Sequence, residues 1–218
     1  MQKSLKPFPP KEAPGLVGAL RSATADLHQA VERLPVMTRL TAAAVDPADY
    51  RRYLSAMALV YGGLEPRLFA ALTAGLSQEW LVALGLRPKY PALQADLAAN
   101  GLRVPARVPV LVVSPADGQR GALSAALGGL YVLEGATLGG RLIVRQLRRQ
   151  LGGQLVGATF LDFHGDQAAA AWKGFSRALE ALASARLVVT EQSIVGARAV
   201  FGQVYRILAE VDMSPCDA

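Results

Sequence analysis

Apolar residues recur at intervals of three and four along most of this 218-residue chain, and this spacing constrains the fold more than any other feature. The two-residue alternation typical of strands is almost absent. We therefore predict helices at about residues 15–31, 46–72, 78–84, 91–99, 121–151, 166–185 and 191–211. Much of the 52% hydrophobic content is Ala and Leu, which favours helices packed on helices. We expect an all-α fold, a single multi-helical domain over residues 15–212.

The remaining segments are predicted to be tails and a connector. Residues 1–14 are rich in proline and charge, and we expect them, like residues 213–218, to be flexible tails. Prolines at positions 105, 109 and 115 prevent a continuous helix over residues 104–116, which leaves room for a few extended residues at 110–113. No domain boundary or internal repeat is evident.

Charge and cysteine content limit the classes of function without choosing one. The net charge of +6 suits a nucleic acid, an acidic protein partner or an anionic small molecule. The single cysteine, Cys216, forms neither a disulfide framework nor a CxxCH heme-attachment motif, so we expect a reducing, cytoplasmic environment. The N-terminal residues lack the apolar core of a signal peptide, and the charge-free run 121–133 is too short to span a bilayer. We expect no membrane partner.

Two histidines are present, and they narrow the choice of metal chemistry. His164 lies in a glycine-containing loop, where we expect a solvated side chain. His28 borders the apolar face of the first helix, so it is either a half-buried packing residue or an imidazole that ligates a metal, with Glu32 holding its other nitrogen. A zinc or di-iron site is poorly supported by so few histidines. A porphyrin supplies its own remaining ligands and fits this inventory better.

The helix predicted at 121–151 contains many glycines, although each interior glycine costs about 0.5–1 kcal/mol relative to alanine. They are Gly121, Gly128, Gly129, Gly135, Gly139 and Gly140. Close helix crossing would explain them, because small residues let backbones approach. A flat ligand lying on the backbone would explain them equally well. The adjacent pair at 139 and 140 favours the ligand slightly.

Three basic residues are spaced to receive the carboxylates of such a ligand. Arg21 precedes His28 by two helical turns, about 10 Å along the same face. Lys173 and Arg177 are one turn apart on a later helix. Cations a ring radius from the iron ligand would pair with porphyrin propionates. Each of them alone is more typical of a solvated surface.

Three segments resemble the heme oxygenase family. Residues 21–32, RSATADLHQAVE, look like the proximal helix, in which a basic residue, a Thr, the axial His and a Glu have this spacing. Residues 49–68 are similar to the second helix, including its Tyr-x-x-Leu-Glu signature. Residues 131–140, YVLEGATLGG, resemble the distal helix of the bacterial branch. The resemblance covers about residues 15–210.

Further positions match singly, and one departs from the pattern. Lys173 and Arg177 match the family's later propionate-binding pair, and Phe201 matches an aromatic residue that lines the pocket. The mammalian branch has a distal Asp that organises water near bound oxygen. No Asp occurs at 131–140, and Glu134 falls too early to replace it.

The resemblance implies an enzyme that opens heme to biliverdin and releases CO and ferrous iron. It uses O2 and an external electron donor, such as a ferredoxin or a reductase. The implied iron ligand is His28, and heme is both substrate and cofactor. The other implied heme-binding residues are Arg21, Glu32, Tyr131, Lys173, Arg177 and Phe201. The implied catalytic backbone, which steers oxygen toward a meso carbon, is that of Gly135, Gly139 and Gly140. The product would supply a bacteriophytochrome chromophore, or the reaction would supply iron.

Two other classes remain open at the level of sequence. A non-catalytic heme carrier or sensor would share His28 and would keep its ferrous heme under oxygen. A nucleic-acid-binding protein would use the basic helix at 141–149 and would show salt-dependent binding. We expect no nucleic acid partner, because aromatic content is 6% and the basic residues cluster nowhere else. The same helix, with Arg141, Arg145, Arg148 and Arg149, is a candidate dock for the acidic electron donor.

Overall fold

The computed structural model describes residues 15–105 and 118–213, and α-helices account for most of both ranges. The helices are α1 (Leu16–Glu32), α2 (Pro35–Leu40), α3 (Pro47–Gly75), α4 (Gln78–Leu84), α5 (Tyr90–Ala99), α6 (Gly118–Leu151), α7 (Ala168–Ser184) and α8 (Thr190–Met213). Short 3₁₀ turns cover Gly152–Gln154 and Gly165–Gln167. The described residues contain no strand, and the predicted all-α, single-domain class is confirmed.

Each predicted helix forms, and the structure adds α2, which the spacing did not predict. Pro35 begins this six-residue helix, and only Val36 and Leu40 are buried. The N-terminus of α3 is closed as expected, because the Asp46 carboxylate accepts a hydrogen bond from the backbone N–H of Asp49 at 2.9 Å. The predicted N-terminal tail, the C-terminal residues after Met213 and the connector, including 110–113, lie outside the described residues.

The centre of the fold is the crossing of α6 and α8, where glycines bring two backbones into contact. A Cβ atom added to Gly128 would lie 1.8 Å from the carbonyl oxygen of Ser193. A Cβ atom added to Gly196 would lie 2.0 Å from the carbonyl oxygen of Ala125. Side chains are therefore excluded at both positions. For Gly128 the packing explanation of the glycines is correct.

This crossing also accounts for the apolar character of α6. By length and composition alone, Gly118–Gln154 would suffice to cross a membrane. However, 78% of its most apolar window is buried inside the protein, as expected of a core helix.

The helix that carries His28 is held by charged side chains from two other helices. The carboxylate of Glu180, on α7, accepts hydrogen bonds from the backbone N–H groups of Leu16 and Val17, each at 2.9 Å. These bonds satisfy free donors at the start of α1. Arg198, on α8, donates to both carboxylate oxygens of Asp26 at 2.9 and 3.1 Å. The start and the middle of α1 are thus fixed to α7 and α8.

We predict that Gly196→Ala lowers the free energy of unfolding by about 1–3 kcal/mol, because the added methyl group overpacks the α6–α8 crossing. Gly202→Ala is the matched control on the same helix, since a Cβ atom there meets nothing within 4 Å. That change should stabilise the protein by about 0.5–1 kcal/mol through helix propensity. Urea denaturation followed by circular dichroism measures both. Equal effects of the two substitutions would contradict a close backbone crossing.

Candidate functional site

The His28 side chain projects from α1 into solvent and is not packed in the core. Its side chain is 60% exposed, which excludes the half-buried packing interpretation. The Glu32 carboxylate lies 3.5 Å from Nδ1 of His28, one helical turn away. The imidazole meets the ring of Phe201 edge to face, with ring centroids 5.9 Å apart. Among the described residues, Glu32 is the only polar group near a ring nitrogen, so Nε2 is available to a ligand.

The second half of α6 presents bare backbone at two of its glycines. Nothing lies within 4 Å of a Cβ atom added to Gly139, and a Cβ atom added to Gly135 approaches only the Trp172 ring, at 3.6 Å. Gly140 differs, because its added Cβ atom would lie 2.9 Å from the carbonyl oxygen of Leu161. The close approach of a loop therefore accounts for Gly140. Gly135 and Gly139 leave open space of the kind that a flat ligand requires.

Arg21 and Tyr131 connect α1 to α6 beside this open backbone. The Arg21 guanidinium lies near the Tyr131 hydroxyl; burial raises the pKa of that hydroxyl, and the Arg21 charge partly offsets the increase. The Tyr131 ring packs on Trp172 with centroids 5.5 Å apart. Side chains from α1, α6 and α7 thus meet at one place.

Trp172 is a site residue that the sequence reasoning missed. It is one of two tryptophans in the chain and directly precedes Lys173, which was the available signal. Lys173 and Arg177 are exposed on α7 and have no ion-pair partner within the part of the chain that the structure describes. Their charges are therefore free to meet an anionic ligand.

A buried polar cluster lies on another side of α6, at Glu134. Lys89, from the start of α5, donates to the Glu134 carboxylate, and His164 Nε2 lies 3.5 Å from the other oxygen of that carboxylate. The His164 side chain is only 6% exposed, so the expectation of a solvated loop histidine was wrong. The cause is the packing of its loop against α6 and α5, a long-range contact that local sequence does not encode.

Electrostatics keep Glu134 ionised in this interior position. Burial raises the pKa of its carboxyl, but the nearby His164 imidazole and the Lys89 charge more than offset burial, and the net pKa lies below its usual value. The cluster is thus a carboxylate between a cation that donates a hydrogen bond to it and an imidazole whose Nε2 lies 3.5 Å away.

The basic face of α6 is narrower than its sequence suggests. Arg141 and Arg148 pair with Asp162 at 3.3 and 2.8 Å, and Arg141 also pairs with Asp166. Arg145 has no ion-pair partner in the described ranges, and Arg149 donates only to Gln146, at 2.5 Å. These two arginines line a shallow cleft together with Leu142, which is 68% exposed.

The site residues fit a porphyrin better than a bare metal ion. Over residues 15–105 and 118–213, no group of three His, Cys, Asp or Glu side chains could hold a metal ion. One accessible imidazole, unpaired cations and open glycine backbone match a planar, anionic, iron-containing ring.

Comparison with known proteins agrees with this geometry. The model of the heme oxygenase family matches residues 15–210. A heme oxygenase of Xanthomonas campestris pv. campestris (strain 8004) is 36% identical over 149 residues, which cover 66% of this chain and 83% of the relative.

Solved structures share the fold at lower sequence identity. The NO- and CO-bound heme oxygenase of Neisseria meningitidis aligns with a TM-score of 0.69 and 22% identity, covering 94% of this chain and 96% of that one. Heme oxygenase-1 of Synechocystis sp. PCC6803, solved with heme, aligns with a TM-score of 0.66 and 15% identity, covering 91% and 93%.

The resemblance identified from the sequence is therefore confirmed. Because the family model spans nearly all of the described residues, this chain belongs to the heme oxygenase family, whose members are oxygenases that act on heme.

Proposed function

We propose that this protein binds heme against α1 and the glycine-bearing half of α6, with His28 as the axial iron ligand, and opens the ring to biliverdin. The accessible imidazole of His28 is the observation that carries the proposal, since an exposed histidine bordering an apolar helix face is otherwise unexplained. CO and ferrous iron are the other products. The biliverdin would serve as a bacteriophytochrome chromophore, or the iron would be used, in the cytoplasm.

Glu32 would fix the imidazole in the form that binds iron. Its carboxylate lies on the Nδ1 side, so it favours a proton on that nitrogen and leaves the lone pair on Nε2. A carboxylate in this place also makes the ring a stronger donor to the metal. Phe201, edge-on to the same ring, limits its rotation.

Arg21, Lys173 and Arg177 would orient the ring by pairing with its propionates. Arg21 lies near the Tyr131 hydroxyl, whereas the two α7 cations have no partner among the described residues. Charge-assisted hydrogen bonds of this kind combine strength with direction. Selecting which edge of the ring faces the interior would determine which meso carbon reacts.

Bound heme would supply the iron at which O2 is activated, and it is also the substrate. Gly135 and Gly139 would let the backbone approach the face of the ring opposite His28, without side chains that occupy the space required by O2 and water. Gly140, which we expected to share this role, is better assigned to the contact with Leu161.

We predict that His28→Ala abolishes the Soret and ligand-field bands of a histidine-ligated hemin complex and stops formation of biliverdin with ascorbate under air. Added imidazole should restore part of the spectrum, because it can occupy the space left by the side chain. Hemin titration monitored by absorption spectroscopy measures both effects. The control is Gln29→Ala, an exposed neighbour on α1 that should titrate like the wild type.

Two results would count against this function. An unchanged spectrum and turnover in the His28 variant would exclude it as the ligand. A wild-type complex that is reduced but persists as ferrous heme under air would instead identify a heme carrier.

We further propose that the cleft at Arg145 and Arg149 docks the acidic electron donor, a ferredoxin or a reductase. Both cations lack carboxylate partners among the described residues, and exposed Leu142, which lines the same cleft, provides an apolar contact. An interface with a small apolar centre and a charged rim is typical of transient complexes.

Reversal of both charges, Arg145→Glu with Arg149→Glu, should slow reduction by an acidic donor about tenfold or more at low salt, and the difference should shrink as salt rises. Stopped-flow reduction of the hemin complex measures this rate. The control is Arg51→Glu with Arg67→Glu, an equal change of charge at exposed positions on α3. Equal slowing in both variants would show a general effect of net charge and would contradict a docking site for the donor at the cleft.

A further inference from the structure

The loop at residues 158–167 contacts α6 on both sides of the two open glycines. At one end Glu134, directly before Gly135, meets His164 of the loop at 3.5 Å. At the other end Arg141, two residues after Gly139, pairs with Asp162 and Asp166 of the loop. The segment of α6 that contains both glycines is therefore flanked by a contact with His164 at one end and by ion pairs with Asp162 and Asp166 at the other, all on a single loop.

The middle of this loop touches α6 as well. The carbonyl oxygen of Leu161 lies where a side chain at Gly140 would be. The loop is in turn fixed to α5, because the buried carboxylate of Asp96 accepts hydrogen bonds from the backbone N–H groups of Thr159 and Phe160 at 3.1 and 2.7 Å. Lys89 of α5 completes the connection through its bond to Glu134.

The chemistry of His164 defines the direction of its contact. Arg87 can only donate, so its guanidinium, 3.3 Å from Nδ1 of His164, requires that nitrogen to act as the acceptor. The proton of the neutral ring is then on Nε2, which faces the Glu134 carboxylate. Nε2 is buried and makes no hydrogen bond to the described residues, and a Glu134 oxygen lies 3.5 Å from it. Glu134 is thus the group toward which the buried imidazole is directed.

A helix with glycines at 135, 139 and 140 is easily bent, since each glycine reduces the cost of deformation. A buried ion pair is an inefficient means of adding stability, because desolvation offsets much of the attraction. An external support that fixes the curvature of this segment explains how a helix with three glycines keeps its shape and why the buried Lys89–Glu134 ion pair is present. We propose that the 158–167 loop is a splint for α6, that is, a rigid support that holds the curvature of the glycine-bearing segment. Glu134 and Lys89 are then positioning residues, which set the distance of the Gly135 and Gly139 backbone from the bound ring.

This inference rests on the proposed heme site, but its first test uses the protein without heme. In Lys89→Met with Glu134→Gln, both side chains keep their approximate volume, and neither of these two charges is left buried alone. The nearby buried carboxylate of Glu65 keeps its hydrogen bonds from the backbone N–H groups of Lys89 and Tyr90. We expect hydrogen exchange of the backbone amides at 135–141 to accelerate about tenfold or more, since local opening of the segment becomes easier. Exchange in α8 should not change.

The second test measures the heme side of α6. In the ferrous CO complex of the same variant we expect a shifted and broadened C–O stretching band. The catalytic rate should fall about tenfold to a hundredfold, as for small misplacements of catalytic groups, with hemin affinity nearly unchanged. Asp49→Asn is the matched control, a buried carboxylate on α3 whose ion pairs and hydrogen bonds involve neither α6 nor the loop. It should lower stability without moving the C–O band.

Amide exchange and a C–O band identical to those of the wild type, in a folded double variant, would overturn the splint. If that variant does not fold, Arg141→Gln is used instead, because it removes the ion pairs of α6 with Asp162 and Asp166 at a less buried position. The same two measurements apply. A wild-type protein that lacks histidine-ligated hemin would refute the proposed function, whereas the exchange result would still decide whether the loop supports α6.

Discussion

The direct contact of the α6 and α8 backbones is the constraint on which the other features of the structure depend. Where Gly128 and Gly196 cross, the distance between the helices is set by backbone atoms and not by adjustable side chains. Residues one turn further along α6, beginning with Tyr131, are then fixed relative to Phe201 on α8. Since Arg198 of α8 also holds α1, the crossing determines how His28 stands relative to the glycine-bearing half of α6. A rigid contact in the core thus defines the dimensions of the site.

Glycine has opposite consequences in the two halves of α6. At 128 it increases rigidity, because a backbone from another helix fills the space of the absent side chain. At 139 that space is empty, so the same residue type leaves the helix exposed and easy to bend. A segment with this property is useful near a ligand only if something else holds its position. The loop contacts at Glu134 and Arg141 are the support that we propose.

Sequence was sufficient for the features that depend on local periodicity and insufficient for those made by distant residues. The main helices follow from apolar spacing, whereas α2 was missed because six residues are too few to show a period. The exposed His28 and its neighbour Glu32 were found because they share one helix. The glycines were recognised as unusual, but their two roles could not be separated without knowing what each one faces. Lys89 and Glu134 lie 45 positions apart, and neither residue type predicts burial, so this pair had no signal.

The basic residues divide in the same way, according to partners that only the fold reveals. Arg141, Arg148 and Arg198 are paired with aspartates and hold elements of the fold together. Such cations are largely neutralised and contribute little to attraction at a distance. Lys173, Arg177 and Arg145 have no carboxylate partner among the described residues, and they lie at two separate places, beside Trp172 and in the cleft at Leu142. Under the proposed function, these cations would receive a dianionic ring at one place and an acidic protein at the other.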